Sequence, residues 1–169
     1  MYEQELTVGD IYLTIARNSE VFKSVEIDTL NEVVEDYRGN PGTTYRIFEE
    51  KDGDRVVGFV IFGRTPMTEF AWDIYWLVVD RHFQRRSMGK RLITKVQDFL
   101  SAKYPKAILR VETSSRVDYS AARNFYLKQD FKEAGRIKDF YEDGDDLVVF
   151  VKYIENKENH PASVGGNSL

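Results

Sequence analysis

Leu77-Val78-Val79-Asp80-Arg81-His82-Phe83-Gln84-Arg85-Arg86-Ser87-Met88-Gly89-Lys90-Arg91 is the stretch on which the fold turns. It closes the almost wholly apolar run 69–80 (EFAWDIYWLVVD), the pattern of a strand buried on both faces. It then opens an amphipathic helix from Ser87 to about Lys103. Met88, Leu92, Val96 and Leu100 form one stripe, widened by Ile93 and Phe99, and Tyr104-Pro105 stops it. A helix start presents unpaired backbone N–H groups and a positive dipole end, so it attracts anions. The small residues Ser87 and Gly89 would let a phosphate approach the backbone. Five basic residues lie between 81 and 91 with no acid among them, in a chain of net charge -4. That local reversal points to a polyanionic ligand. The same residues also fit an ordinary Ser87 N-cap followed by a solvated, arginine-rich edge. Neither G-x-x-x-x-G-K-[ST] nor G-x-G-x-x-G occurs, so common nucleotide loops are excluded.

Working outward, residues 10–17 read as a first strand, with Ile11, Leu13 and Ile15 on alternate positions. Residues 26–38 read as a helix through Ile27, Leu30, Val33, Val34 and Tyr37, ended by Asn40-Pro41-Gly42. Strands near 44–50 and 55–64 are joined by Asp52-Gly53-Asp54, a hairpin signal. After the long helix come a strand over 107–113, a helix over 119–128 and a last hairpin, 131–138 with 146–154, across Glu142-Asp143-Gly144-Asp145. The predicted order is β-α-β-β-β-α-β-α-β-β. It describes one mixed, mostly antiparallel α/β sheet flanked by helices, with two β-α-β crossovers. The ordered domain is expected over 1–155, with a flexible polar tail over 156–169.

Composition narrows the chemistry. The 169 residues suit one domain, and 42% apolar with 14% aromatic content is enough for a core. No cysteine is present, which excludes disulfides, zinc-thiolate sites and cysteine nucleophiles. Two histidines, His82 and His160, leave little material for a metal site or a serine-histidine triad, so no metal is expected. No apolar run approaches the roughly 20 residues that cross a bilayer, and the N-terminus lacks a signal-peptide pattern. The expectation is a soluble cytoplasmic protein with no membrane partner. A pI near 5.3 argues against nucleic acid as the main partner.

Gln84-Arg85-Arg86-Ser87-Met88-Gly89 resembles the acyl-CoA signature Q/R-x-x-G-x-G/A of the GNAT N-acetyltransferase family, and Leu77-Val78-Val79-Asp80 resembles the strand before it. A second motif lies downstream: Ala122-Arg123-Asn124-Phe125-Tyr126-Leu127-Lys128-Gln129-Asp130-Phe131 is similar to the family's A-x-x-F/L-Y-x-K-x-G-F. Trp72-Asp73-Ile74-Tyr75-Trp76 and Lys138-Asp139-Phe140-Tyr141, followed by Gly144-Asp145, resemble a bacterial and archaeal branch whose acceptor is unassigned. The resemblance spans about 10–153. It departs at two glycines, replaced here by Ser87 and Asp130. Serine suits its position if φ is negative and is strained if φ is positive; aspartate tolerates the left-handed region better than most residues.

The resemblance implies the GNAT fold and acetyl-CoA as co-substrate. Leu77, Val78 and Val79 would meet its pantetheine arm, and Gln84, Arg85, Arg86, Ser87, Met88, Gly89 and Lys90 its pyrophosphate. Tyr119 falls where many relatives carry an asparagine on the CoA arm. The acceptor would be a primary amine of a small molecule or protein, and relatives often form homodimers through late strands. Tyr126 would point at the acyl sulfur as general acid, and the Val79 amide would meet the oxyanion. Transfer also needs the amine to lose a proton. An alkylamine has a pKa near ~10.4, so a base can contribute roughly 10²–10⁴-fold. Asp73 is the leading candidate base, since a carboxylate among Trp72, Ile74, Tyr75 and Trp76 should have a raised pKa. Glu112 is the alternative. Each candidate has a purely structural counterpart: Tyr126 as a core aromatic, Asp73 held by backbone amides or an arginine, Tyr119 as packing. Asp139, Tyr141, Asp143, Asp145 and Asp146 either receive a cationic acceptor or form a solvated turn. A non-catalytic acyl-CoA-binding module is the alternative function, favoured by the two missing glycines. A nucleic-acid binder using 81–91 is the third.

Overall fold

The computed structural model describes residues 8–156. The predicted tail lies outside these residues except for Asn156. Two helices, α1 (Val8–Asn18) and α2 (Ser24–Gly39), precede strands β1 (Arg46–Asp52), β2 (Arg55–Arg64) and β3 (Ala71–Val79). Then follow α3 (Met88–Lys103), β4 (Lys106–Ser114), α4 (Ser120–Lys128), β5 (Lys132–Glu142) and β6 (Asp145–Glu155). Single 3-10 turns lie over Arg81–Phe83 and Val117–Tyr119. One six-stranded sheet has the order β1-β2-β3-β4-β6-β5, and only β3 and β4 pair in parallel. The mixed, mostly antiparallel α/β sheet flanked by helices stands as expected.

The first predicted strand is wrong: residues 10–17 lie in α1. Ile11, Leu13 and Ile15 alternate, but the buried set is Tyr12, Leu13, Ile15 and Ala16. That spacing is the i, i+3, i+4 repeat of a helix, so one helical face reads as a strand when every second residue is picked. The crossovers differ from each other. From β3 the chain passes through α3 to the adjacent β4, whereas from β4 it passes through α4 to β5, with β6 inserted between them.

Two apolar clusters lie on opposite faces of the sheet. Under α1 and α2, Tyr12, Leu30 and Val34 pack on Phe59, Ile61 and Val78. Under α3 and α4, Leu92, Val96, Leu100 and Tyr126 pack on Phe62, Trp72, Ile74, Leu109 and Phe150. In β2, every residue from Val56 to Gly63 is buried. Strand β3 departs from a strand buried on both faces. Its register against β2 slips between Ile61 and Phe62, so that Phe62 faces Ile74 and Ile61 faces Trp76. Tyr75 is the extra residue and stands 41% exposed. A bulge of this kind reverses which residues face which side: Trp72 and Ile74 face α3 before it, and Leu77 and Val79 after it. At the far edge, β5 is exposed along its length, and its pairing with β6 is irregular between Glu133 and Gly135 and between Ile137 and Glu142.

Candidate active site

The site begins where two strands part. β3 and β4 share four paired positions, from Ala71–Ile108 to Ile74–Val111. Beyond them β3 stays on β2 as far as Val79–Gly58, and β4 stays on β6 as far as Ser114–Leu147. The facing backbone edges of 75–79 and 112–114 therefore have no strand partner on each other's side. This gap can receive an extended arm bearing amide groups. Leu77 and Val79 pack partly against the α3 cluster, while the Val78 side chain is buried under α1 and α2, so Val78 could offer only its backbone.

At the open end of the gap, β3 turns into α3. Asp80 shapes the turn: its buried carboxylate accepts from the His82 N–H at 2.9 Å and pairs with Arg55 at 2.8 Å. The Gln84 amide donates to the Val79 carbonyl at 3.4 Å. Arg85 and Ser87 both take φ near +60° (62° and 61°), and Ser87 makes no side-chain cap. The condition that strains serine is therefore met, at roughly 1–2 kcal/mol for a residue with a Cβ. Arg91 N–H donates to Ser87 O at 3.0 Å. The amides of Met88, Gly89 and Lys90 thus precede the first intrahelical bond and are available to an anion.

The basic residues of the turn divide. Arg81 pairs with Glu20 at 2.7 Å, and Arg91 with the buried Glu50 at 2.9 Å. Among the described residues, Arg85, Arg86 and Lys90 make no ion pair, and Arg86 lies 5.1 Å from the Phe83 ring centroid. The Met88 side chain is core. A Cβ on Gly89 would stand 3.2 Å from two ring carbons of Phe125, so glycine lets α3 abut α4.

Across the gap stands α4. Tyr126 is 6% exposed and packs on Phe125, Phe131 and Phe150, with ring centroids 5.5, 5.5 and 6.0 Å away. Burial alone pushes its phenol well above the usual tyrosine value, so it holds its proton at neutral pH. The helix ends with Phe131 N–H on Tyr126 O at 3.1 Å and Asp130 N–H on Leu127 O at 3.2 Å. Asp130, at φ 63°, occupies the left-handed C′ position of a Schellman motif where glycine is usual.

On the sheet face turned from α3, Asp73 accepts from Arg110 Nε at 2.5 Å and Thr65 Oγ1 at 2.7 Å, so both its oxygens are engaged. The Asp73 hydrogen bond is the largest cause holding the Arg110 guanidinium above its ordinary value. Glu112, one alternation further along β4, touches Arg110 Nη1 only at 3.3 Å, and its side chain is 43% exposed. The Tyr119 hydroxyl donates to Glu26 of α2, with oxygens at 2.9 and 3.1 Å. Burial first, then Glu26, raises its pKa.

Of the acidic residues near the last hairpin, Asp139 and Asp146 bond within it. Asp139 Oδ1 accepts from Gly144 N–H at 2.8 Å, and Asp146 pairs with Arg136 at 3.2 Å. Asp145 is buried and accepts from Ser114 Oγ at 2.5 Å. Thr65 and Ser114 belong to no sequence motif: Ser114 is placed by the register of β4 on β6, and Thr65 follows the end of β2. The described residues contain no cluster of His, Cys, Asp or Glu able to hold a metal, and no described helix is long and apolar enough to cross a membrane.

The sequence profile of the acetyltransferase (GNAT) domain matches residues 42–133, just over half of the chain. The chain belongs to the GNAT acetyltransferase family. Comparison with curated protein sequences finds no significant match. Among solved structures, a GNAT-family protein from Desulfovibrio desulfuricans has a TM-score of 0.80 at 26% identity, covering 90% of this chain and 96% of that one. Two others share the GNAT fold at lower identity. The aminoglycoside 6'-N-acetyltransferase from Enterococcus faecium has a TM-score of 0.68 at 15% identity, with 90% and 94% of the chains covered. An aminoglycoside 6'-N-acetyltransferase complexed with coenzyme A has 0.68 at 17%, again with 90% and 94% covered.

Proposed function

We propose that this GNAT protein transfers an acetyl group from acetyl-CoA to a primary amine of a small molecule or protein. The observation that carries this reading is the parting of β3 and β4 after Ile74–Val111, between a helix start with free amides and the buried Tyr126. Met88, Gly89 and Lys90 amides with Arg85, Arg86 and Lys90 side chains suit the pyrophosphate, and the unpaired edge of 75–79 suits the pantetheine amides. The fold neighbour complexed with coenzyme A supports the same donor.

The amine attacks the thioester carbonyl directly, and the departing sulfur takes the Tyr126 proton. A phenol is protonated at neutral pH, so it can give its proton to the departing thiolate while the amine's proton passes to the base, and it regains a proton from solvent after each turnover. For the base we favour Glu112 over Asp73, because Asp73 already spends both oxygens on Arg110 and Thr65. The Tyr119 hydroxyl is already engaged by Glu26, which counts against a place on the CoA arm.

Acetyl-CoA should raise the melting temperature, since a ligand of the native state alone stabilises it. Free-thiol release with a panel of amines should report turnover. Tyr126→Phe should lower kcat roughly 10- to 100-fold with acetyl-CoA affinity kept. No thermal shift at millimolar acetyl-CoA sinks the reading. The second reading, a binding module without turnover, rests on the strained Ser87; a thermal shift with no thiol release from any amine would select it.

A further inference from the structure

Strand β4 does not simply drift from β3; its tip is tied to the other side. Ser114 Oγ donates to the buried Asp145 Oδ1 at 2.5 Å, and Ser115 N–H reaches the same oxygen at 3.2 Å. Ser115 N–H also donates to Asp146 O at 2.9 Å, while Asp146 N–H donates back to Ser115 Oγ at 2.8 Å. The turn that follows is bound to α4. One nitrogen of Arg123, Nη1, donates to the Ser114 carbonyl at 2.6 Å and to the Arg116 carbonyl at 2.8 Å. Arg116 N–H donates to Ser114 Oγ at 3.0 Å, which closes the knot. Asp145 and Ser114 are 4% and 8% exposed, so the bond between them is shielded from water, and the bonds around it are partly buried. Buried bonds to charged groups of this kind hold geometry strongly.

Arg123 lies one helical turn before Tyr126 on α4. It therefore sets the position of that turn of helix relative to the tip of β4, and Asp145 sets the tip relative to β6. Nothing else in the acid-base chemistry uses Arg123 or Asp145. We infer that Arg123, with Asp145 acting through Ser114, is a positioning residue that fixes Tyr126 against the gap between β3 and β4. The inference rests on the acetyl-transfer reading with Tyr126 as acid. It names residues outside the donor loop, and the family's second motif leaves the Arg123 position open.

The test is a double-mutant cycle on thiol release, with acetyl-CoA affinity and melting temperature measured on each variant. Arg123→Lys, whose chain ends one atom short of the Nη1 position that reaches both carbonyls, should lower kcat about tenfold and leave the acetyl-CoA KM within about threefold. Asp145→Ala should do the same. Asp145→Asn keeps an acceptor oxygen for Ser114 and should recover most of that loss. In a Tyr126→Phe background, Arg123→Lys should cost nothing further. A loss that multiplies with Tyr126→Phe, or one explained by the unfolded fraction alone, overturns the positioning role and leaves acetyl transfer standing. If Tyr126→Phe is itself silent, the acid reading falls and the positioning role with it. Amide hydrogen exchange over 114–126 gives a readout independent of turnover. Faster exchange in folded Arg123→Lys supports the inference, and unchanged exchange overturns it.

Discussion

The two halves of the sheet are built differently. β1, β2 and β3 are covered on one face by α1 and α2 and on the other by α3, and Phe59, Val60, Ile61 and Phe62 show no exposed surface at all. β4 and β6 are covered on one face only, and β5 is exposed along its length. Tyr153 of β6 is 70% exposed and Ile137 of β5 52%. The halves meet at four paired positions between β3 and β4. The turn before α3 grows out of the three-layered half, and Tyr126 rides on the two-layered half. In the proposed mechanism, binding and chemistry are thus hung on opposite sides of a short joint. A closely packed frame holds the turn proposed to meet phosphates, while the thinner side carries the proposed proton donor and is tied by specific bonds such as those of Arg123 and Asp145.

Truncation should expose that contrast most sharply. Phe59→Ala removes a buried ring that packs 4.8 Å from Tyr12, and should cost about 3–5 kcal/mol in urea unfolding. Ile137→Ala on β5 should cost no more than about 0.5 kcal/mol. Similar losses from both would erase the distinction between the halves. At the joint, Arg110→Met leaves the nearly buried Asp73 carboxylate without its cation and should cost about 1.5–3 kcal/mol. Ser87→Gly in the donor turn should stabilise the protein by about 1 kcal/mol by relieving a positive φ, and calorimetry should show acetyl-CoA bound at least as tightly.

The smallest effect is on the open half. The Asp139 N–H first, then Arg136, holds the Asp146 carboxyl below its ordinary value. A depressed carboxyl contributes stability above its unfolded pKa, near 3.8, and loses it as pH falls through the lower folded value. NMR titration should therefore find Asp146 below 3.8, moving back toward it in Arg136→Met.

Much of this architecture is legible in the amino-acid sequence. The apolar run into β3 and the Leu92–Val96–Leu100 stripe are strong periodic signals, and they place the strand-turn-helix unit that anchors the fold. The alternating Ile11, Leu13 and Ile15 mislead, because α1 is short and two of them, Leu13 and Ile15, share its buried face with Tyr12 and Ala16. Tyr75 could not be foreseen as a bulge: the extra residue is set by register against β2, a tertiary property. Asp73 and Tyr119 find partners, Arg110 and Glu26, that are 37 and 93 residues away in sequence. Motif spacing carries no information about such contacts. It does carry the tyrosine-bearing helix, since Phe125, Tyr126 and the Asp130 turn depend on local helical geometry.

The ragged pairing of β5 has a consequence for the protein in concentrated solution. An outermost strand with regular, free peptide groups is a template on which another chain can zip. Here register is lost twice, near Gly135 and before Glu142, and Asp139 is turned to a φ of 52° between them. Lys132, Glu133, Arg136 and Lys138 add charge along the same margin. The side of the molecule with the least cover is thus also the side least able to seed a fibre, so its exposed rings can stay in water without inviting a growing sheet.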